Sequence, residues 1–227
     1  MRPSVPILFS INGGYVDTAG FLALQGLFTA HVTGNFVTIG AALVFGTSGV
    51  VAKLLALPVF CLVVAVVRGV GYVITTGKAA QLRKLMGLEF TLLLAGGILA
   101  LRLGPFASAD AGPALLTGMV LVAGMAVQNS LQRIYLANFP PMTLMTGNTT
   151  QVVIDLVDQL RPQADMAARA AVRTRLLRMG TGIVAFAGGC AAAALLFAIS
   201  GMWVFILPPL LVMAALLVPR DAAVPVA

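Results

Sequence analysis

The chain has 227 residues, of which 60% are hydrophobic and only 9% charged, and its mean hydropathy is +1.03. So little polar surface cannot cover a water-soluble globule, which excludes a soluble enzyme or soluble binding module and leaves an integral membrane protein. The formal net charge is +7, but the basic residues are thinly spread and form no dense patch interleaved with aromatics; they read as an orientation signal, and no nucleic-acid partner is expected.

From the N-terminus, Arg2 followed by "VPILFSI" imitates the start of a secretory signal. Asp17 interrupts that apolar core, and the run 6–28 is read as a retained first span. Thr33, Gly34 and Asn35 then open a short run, 35–45, of about 16 Å at 1.5 Å per residue, half of a bilayer core of about 30 Å. Long apolar runs follow at 53–75, 86–103 and 113–136. Thr146, Gly147 and Asn148 open a second short run, 148–160, which carries Asp155 and Asp158. Carboxylates facing lipid cost about 2.5–3.5 kcal/mol each, so this segment is no comfortable lipid-exposed span. Runs at 179–199 and 202–218 complete the chain. The expected fold is an all-α membrane protein with about six transmembrane helices and two short half-helices.

The order long, short, long, long occurs twice, and the two Thr-Gly-Asn tripeptides stand 113 positions apart. "GGYVD" at 13–17 corresponds loosely to "GMAVQN" at 124–129, one residue longer. This is the pattern of an internal duplication, with repeats at 1–112 and 113–227 forming one membrane domain. Charge sets their orientation. If all eight segments crossed, the loop with Lys78, Arg83 and Lys84 and the loop with Arg161, Arg169, Arg173, Arg175 and Arg178 would lie on opposite sides. If only the six long runs cross, Arg2, both loops and Arg220 share the cytoplasmic side, as Lys and Arg prefer. Each half then crosses an odd number of times, so the repeats are inverted, an arrangement that in membrane proteins frames a translocation pathway.

The tripeptides are the natural site. A threonine can cap the helix it precedes, glycine permits a tight turn, and asparagine offers donor and acceptor at a partly positive helix end. Non-helical backbone at depth is tolerated where protein or a watery cavity surrounds it. The expected substrate-binding residues are Asp17, His31, Thr33, Gly34, Asn35, Gln128, Asn129, Thr146, Gly147 and Asn148. The plainer alternative makes both corners capped turns at the membrane surface. Asp17 either serves function, pairing with Gln128 or Asn129, or holds the bundle by an interhelical hydrogen bond. His31 handles protons or is simply interfacial. As the one histidine it excludes a multi-histidine metal site, and Cys61 and Cys190 suggest neither a metal site nor a disulfide.

Arg68 and Arg133 are expected to snorkel towards cytoplasmic headgroups or to meet an anion. Asp155 and Asp158 share a helix face and either pair with the following arginines or hold a cation. The stretch 164–178 reads as a basic amphipathic segment on anionic lipid, or a partner-binding one. "AFAGGCAAAA" at 185–194 lets helices approach closely.

The blocks "GGYVDTAGFLALQGLFTAHVTGNFVTIGAAL" at 13–43 and "GMAVQNSLQRIYLANFPPMTLMTGNTTQVVIDL" at 124–156 resemble the YoaK family of bacterial inner-membrane proteins. That resemblance implies a small polytopic protein of the bacterial cytoplasmic membrane and brings no substrate, cofactor or catalytic residue with it. The physical reading therefore carries the function: a secondary transporter or channel-like permease for a small polar or anionic solute, both termini cytoplasmic, with membrane lipid as its surroundings and no cofactor. An intramembrane enzyme would need a nucleophile–base pair or a metal cluster at depth, and with one histidine, two cysteines in apolar runs and no paired acids across spans the ingredients are scarce. The alternative is a scaffold or accessory protein acting through its basic cytoplasmic loop, and nothing in the sequence specifies an oligomer.

Overall fold

A computed structural model describes residues 4–73, 77–160 and 166–218. Among these the chain is helical, without a strand: α1 (Val5–Ala23), α2 (Gly34–Phe45), α3 (Val50–Val73), α4 (Lys78–Leu103), α5 (Gly112–Tyr135), α6 (Met145–Gln159), α7 (Met166–Ser200), a 3-10 turn (Gly201–Ile206) and α8 (Leu207–Leu216). Arg2, Arg161 and Arg220, three of the residues used above for orientation, lie outside the described residues.

Four helical stretches are long and apolar enough to cross a membrane: Val50–Val73, Lys78–Leu103, Gly112–Tyr135 and Arg169–Leu216. The last joins two of the expected runs. Gly201, with a φ of +57°, ends α7 in a conformation that only glycine adopts freely. The chain then runs back down α4, Met202 lying against Gly104 and Phe205 against Gly97. Large apolar side chains such as Val44, Phe45, Val73 and Trp203 stand exposed. Lipid accepts such a surface and water does not.

α1 is not among the four stretches, because Ser10, Asn12 and Asp17 dilute its hydropathy. Those three side chains are buried within the bundle, where α7, α8 and α5 pack around the helix. Polar side chains that face protein rather than lipid are tolerated at depth. The approach of α1 to α7 is set by glycines. A Cβ on Gly14 would lie 2.2 Å from the Phe186 carbonyl oxygen, and one on Gly189 would lie 2.2 Å from that of Ile11. Backbone thus rests directly on backbone, as the small residues of 185–194 led us to expect.

The order of contacts fixes the helix directions. α1 and α7 run parallel, Ser10 meeting Gly182 and Gly14 meeting Phe186. α1 and α5 run antiparallel: Leu24 and Leu27, just beyond the end of α1, reach Gly118, whereas Phe9 near its start reaches Gln128. α3 runs parallel to α5, since Asp110, just before α5, binds the first turns of α3 while Gly71 lies beside Tyr135.

The basic stretch does not form a helix of its own. Its described part, 166–178, is the first third of α7, which is continuous over 35 residues. Alanine, arginine and leucine favour helix, and no proline or glycine interrupts them before Gly180. At about 1.5 Å per residue α7 spans roughly 52 Å, against about 30 Å for a bilayer core, so its basic start extends past the apolar layer. Residues 164 and 165 lie outside the described residues.

Candidate functional site

At the first corner the chain doubles back on itself. Gln25 (φ +51°) and Gly26 (φ +87°) reverse the chain after α1. Gly26 supplies a left-handed conformation that a side chain would resist. The segment that follows runs back beside α1, with the Thr29 side chain against Gly20. Asp17 holds it there: its Oδ1 accepts from the backbone N–H groups of Thr29 and Ala30, both at 2.8 Å, and of His31 at 3.3 Å. His31 Nδ1 lies 3.7 Å from Asp17 Oδ2. Asp17 precedes the end of α1 by six residues, so the corner sits roughly 9 Å below that end. α2 then climbs back to a surface knit together by Gln25, which bonds Ser48 and the backbone of Ala107 and Ala109.

The tripeptide works differently from the capping reading. Thr33 immediately precedes α2, but its φ and ψ of −71° and −24° are already helical and its side chain makes no cap bond. An N-cap residue normally keeps extended backbone so that its oxygen can reach forward. Thr146 lies inside α6 and bonds as an ordinary helical residue. The asparagines do the pinning instead. Asn35 reaches back seven residues, accepting from Phe28 N–H and donating to Phe28 C=O, each at 2.9 Å. Gly34 leaves room for the Phe28 ring, which a Cβ would meet at 3.0 Å.

A similar device, in weaker form, precedes and opens α6. Asn148 donates to the Pro141 carbonyl, again seven residues back, at 2.7 Å. Proline has no N–H, so the reciprocal bond cannot form. Asn129 plays a part like that of Asp17, its Oδ1 accepting from the Thr143 hydroxyl at 2.8 Å. Gly147 faces open space. Asn35→Ala should therefore cost more than Asn148→Ala: two bonds to backbone at about 1 kcal/mol each, against one such bond and a weaker one to the Met145 sulfur at 3.8 Å. Thermal melting of the two variants in one detergent checks the order.

Between the corners lies a cleft of about 380 Å³. His31 and Thr33 line it from the first corner, Asn129 from α5 and Leu144 from the start of α6. Phe60 and Val64 supply an apolar wall, and Arg68 and Arg133 add two cationic groups. The Arg68 guanidinium also stacks 4.4 Å over the Tyr72 ring. Of the expected site residues, His31, Thr33 and Asn129 face this cleft, and Asp17 stands directly behind His31. Gly34, Asn35, Thr146, Gly147 and Asn148 shape or flank the corners without lining it, and Gln128 points into the wall between α1 and α5.

One family of proteins, described as "protein of unknown function", matches residues 5–218. The chain belongs to this DUF1275 family. No curated protein and no solved structure matches it. In this DUF1275 chain the described residues hold no group of three or more His, Cys, Asp or Glu side chains that could bind a metal, and Cys61 and Cys190 are free thiols.

Two parts of the polar interior escaped the sequence reading. Glu89, in α4, is fully buried and meets Asn12 of α1, which also bonds Gln128. The signal was present: Glu89 is the single acid in the run 86–103, and the argument that singled out Asp17 applies to it equally. The second part is Asp110, whose carboxylate accepts from Gly49 and Ala52 N–H at 2.8 and 2.9 Å and so caps α3 from a distant loop. By contrast, the expected pairing of Asp155 with the following arginines is present. Arg175 donates to both Asp155 oxygens, at 2.8 and 2.5 Å, and holds that carboxyl below the usual carboxylate range.

Proposed function

We propose that the protein is a membrane permease for a small polar or anionic solute, built from inverted repeats at 1–112 and 113–227 and seated in the bacterial cytoplasmic membrane with both termini inside. The observation that carries this reading is the cleft, where a re-entrant corner of one half meets Asn129 and Leu144 of the other beneath two arginines. The helix packing supports the duplication. In each half the first helix lies parallel to the third element of the other, α1 to α7 and α3 to α5, and the two first helices run antiparallel. Short helices preceded by irregular backbone at depth are how transporters present polar groups to a solute. Two guanidiniums over a largely apolar wall favour an anion that sheds part of its hydration to enter.

Purified protein in proteoliposomes, offered small inorganic and carboxylate anions and neutral metabolites under an imposed proton or sodium gradient, should move at least one of them. Arg68→Ala combined with Arg133→Ala should lower that flux about tenfold or more, equivalent to about 1.4 kcal/mol of lost interaction. Both side chains are exposed, so melting should be unchanged. A correctly folded protein that moves nothing in the panel counts against the permease. The basic start of α7 favours a second reading, a scaffold that docks through Arg169, Arg173 and Arg178. It gains if changing those arginines abolishes a cellular phenotype that survives changes in the cleft.

A further inference from the structure

The wall between α1, α4 and α5 contains a polar cluster that does not line the cleft. Glu89 is completely removed from solvent. Asn12 Nδ2 donates to Glu89 Oε1 at 3.3 Å and to Gln128 Oε1 at 2.8 Å, which uses both of its N–H bonds. Gln128 Nε2 donates in turn to the Phe9 carbonyl at 3.0 Å. Two buried oxygens are left without a partner, Asn12 Oδ1 and Glu89 Oε2.

Among the described residues no cationic side chain bonds either oxygen. Arg175 is engaged by Asp155, and His31 lies against Asp17. On α1, Asp17 faces the re-entrant backbone and the Tyr15 hydroxyl donates to the Val204 carbonyl. On α5, Arg133 lines the cleft and the Tyr135 hydroxyl donates to Gln81. Arg83 and Lys84, the bases nearest Glu89 along α4, are exposed, and neither the 3-10 turn nor α8 carries a titratable side chain.

We propose that Glu89 is a proton-binding site, a neutral carboxylic acid that closes a two-bond ring with the Asn12 amide. In that ring Oε1 is the carbonyl that accepts from Asn12 Nδ2, and the hydroxyl on Oε2 donates to Asn12 Oδ1. One proton satisfies both orphaned oxygens at once, by turning one acceptor into a donor. An ionised Glu89 would set acceptor against acceptor and bury an unpaired charge. A metal cation is the poorer occupant, because it needs several free oxygens and Asn12 already engages Glu89 Oε1 and Gln128 Oε1. Releasing the proton removes the bond from Oε2 to Asn12 Oδ1 and sets two acceptors against each other between α1 and α4. α1 carries Asp17, which positions the corner, and Gln128 adjoins Asn129 of the cleft. Proton release thereby acts on both sides of the cleft, a coupling that rests on the permease reading; the proton site itself does not.

Infrared spectroscopy of the purified protein at neutral pH tests the site. The carbonyl stretch of a buried carboxylic acid should be present in the wild type, absent in Glu89→Gln and shifted in Asn12→Ala. The glutamine variant can keep the ring as an amide pair and has no proton to take up on folding, so at neutral pH it should melt no lower than the wild type, whereas Glu89→Ala melts lower. Wild-type melting should fall as pH rises, because the folded state holds a proton that the unfolded chain releases, and Glu89→Gln should lose that dependence. If Glu89→Gln does not fold, the shift in Asn12→Ala decides. The proposal is overturned if no acid band depends on Glu89 or Asn12, or if sodium alone raises wild-type melting and Glu89→Gln abolishes that rise. An acid band in a protein that transports nothing would leave the proton site standing and remove the permease.

Discussion

Gly189→Ala is expected to lose about 3 kcal/mol or more of stability, at or beyond the upper end of ordinary overpacking costs, while Gly188→Ala next to it is expected to cost nothing and to gain slightly, as alanine does over glycine within a helix. The new Cβ would lie 2.2 Å from the Ile11 carbonyl oxygen, whereas one on Gly188 would meet nothing within 4 Å. No rotamer relieves the first clash, because the obstructing atom is backbone. α1 must therefore retreat from α7, and everything hung on α1 moves with it: the Cys190 contact to the Gly14 carbonyl, the Tyr15 bond to Val204, and Asp17 with its corner. Gly14→Ala should reproduce the effect from the other helix, against the Phe186 carbonyl. Thermal melting of the four proteins in one detergent is sufficient, and equal melting of the two neighbouring alanine variants would remove this account of the α1–α7 contact.

Hydropathy and the repeated tripeptide were enough to find the helices and both breaks, because lipid forces long apolar runs and each break has to be written with polar residues. What the asparagines do was not legible. A side chain reaching back seven residues to Phe28 or Pro141 follows no helical or strand period, and becomes visible only once the chain has folded back on itself. Thr33 was misread because capping is inferred from the sequence step into a helix, and the backbone there had already become helical. Glu89 was missed for a related reason. Its partner Asn12 lies 77 residues away, and without that partner a lone acid reads only as a blemish in an apolar run. The arginines of α7 misled through their charge: an abrupt change of polarity suggested a new element, although nothing in the backbone chemistry stops the helix there.

The cleft itself draws on residues that no local pattern connects. His31 and Thr33 come from the first corner, Arg68 from α3, and Asn129 and Arg133 from α5. Two of these, Arg68 and Arg133, look like ordinary snorkelling arginines when each is read along its own helix. Only the parallel course of α3 beside α5 brings them to one opening, which is why the charge of the cleft follows from topology rather than from any motif.

Asp17 separates the architecture of the corner from its chemistry. Asp17→Ala removes the common acceptor of three backbone N–H groups, and each buried donor left without a partner costs about 1–3 kcal/mol. Amides 29–31 should then lose protection in hydrogen exchange, and the corner should detach from α1. Asp17→Asn should behave differently. Its carbonyl oxygen can still accept from Thr29, Ala30 and His31, just as Asn129 accepts from Thr143 in the second half. The corner should stay protected while the carboxylate facing His31 is gone. A change in flux in Asp17→Asn with protection intact would then report the charge alone, and unchanged flux would assign Asp17 a purely architectural part. Protection of amides 29–31 that survives Asp17→Ala would mean that another interaction holds the turn, and the corner would have to be rebuilt around Asn35 and its grip on Phe28.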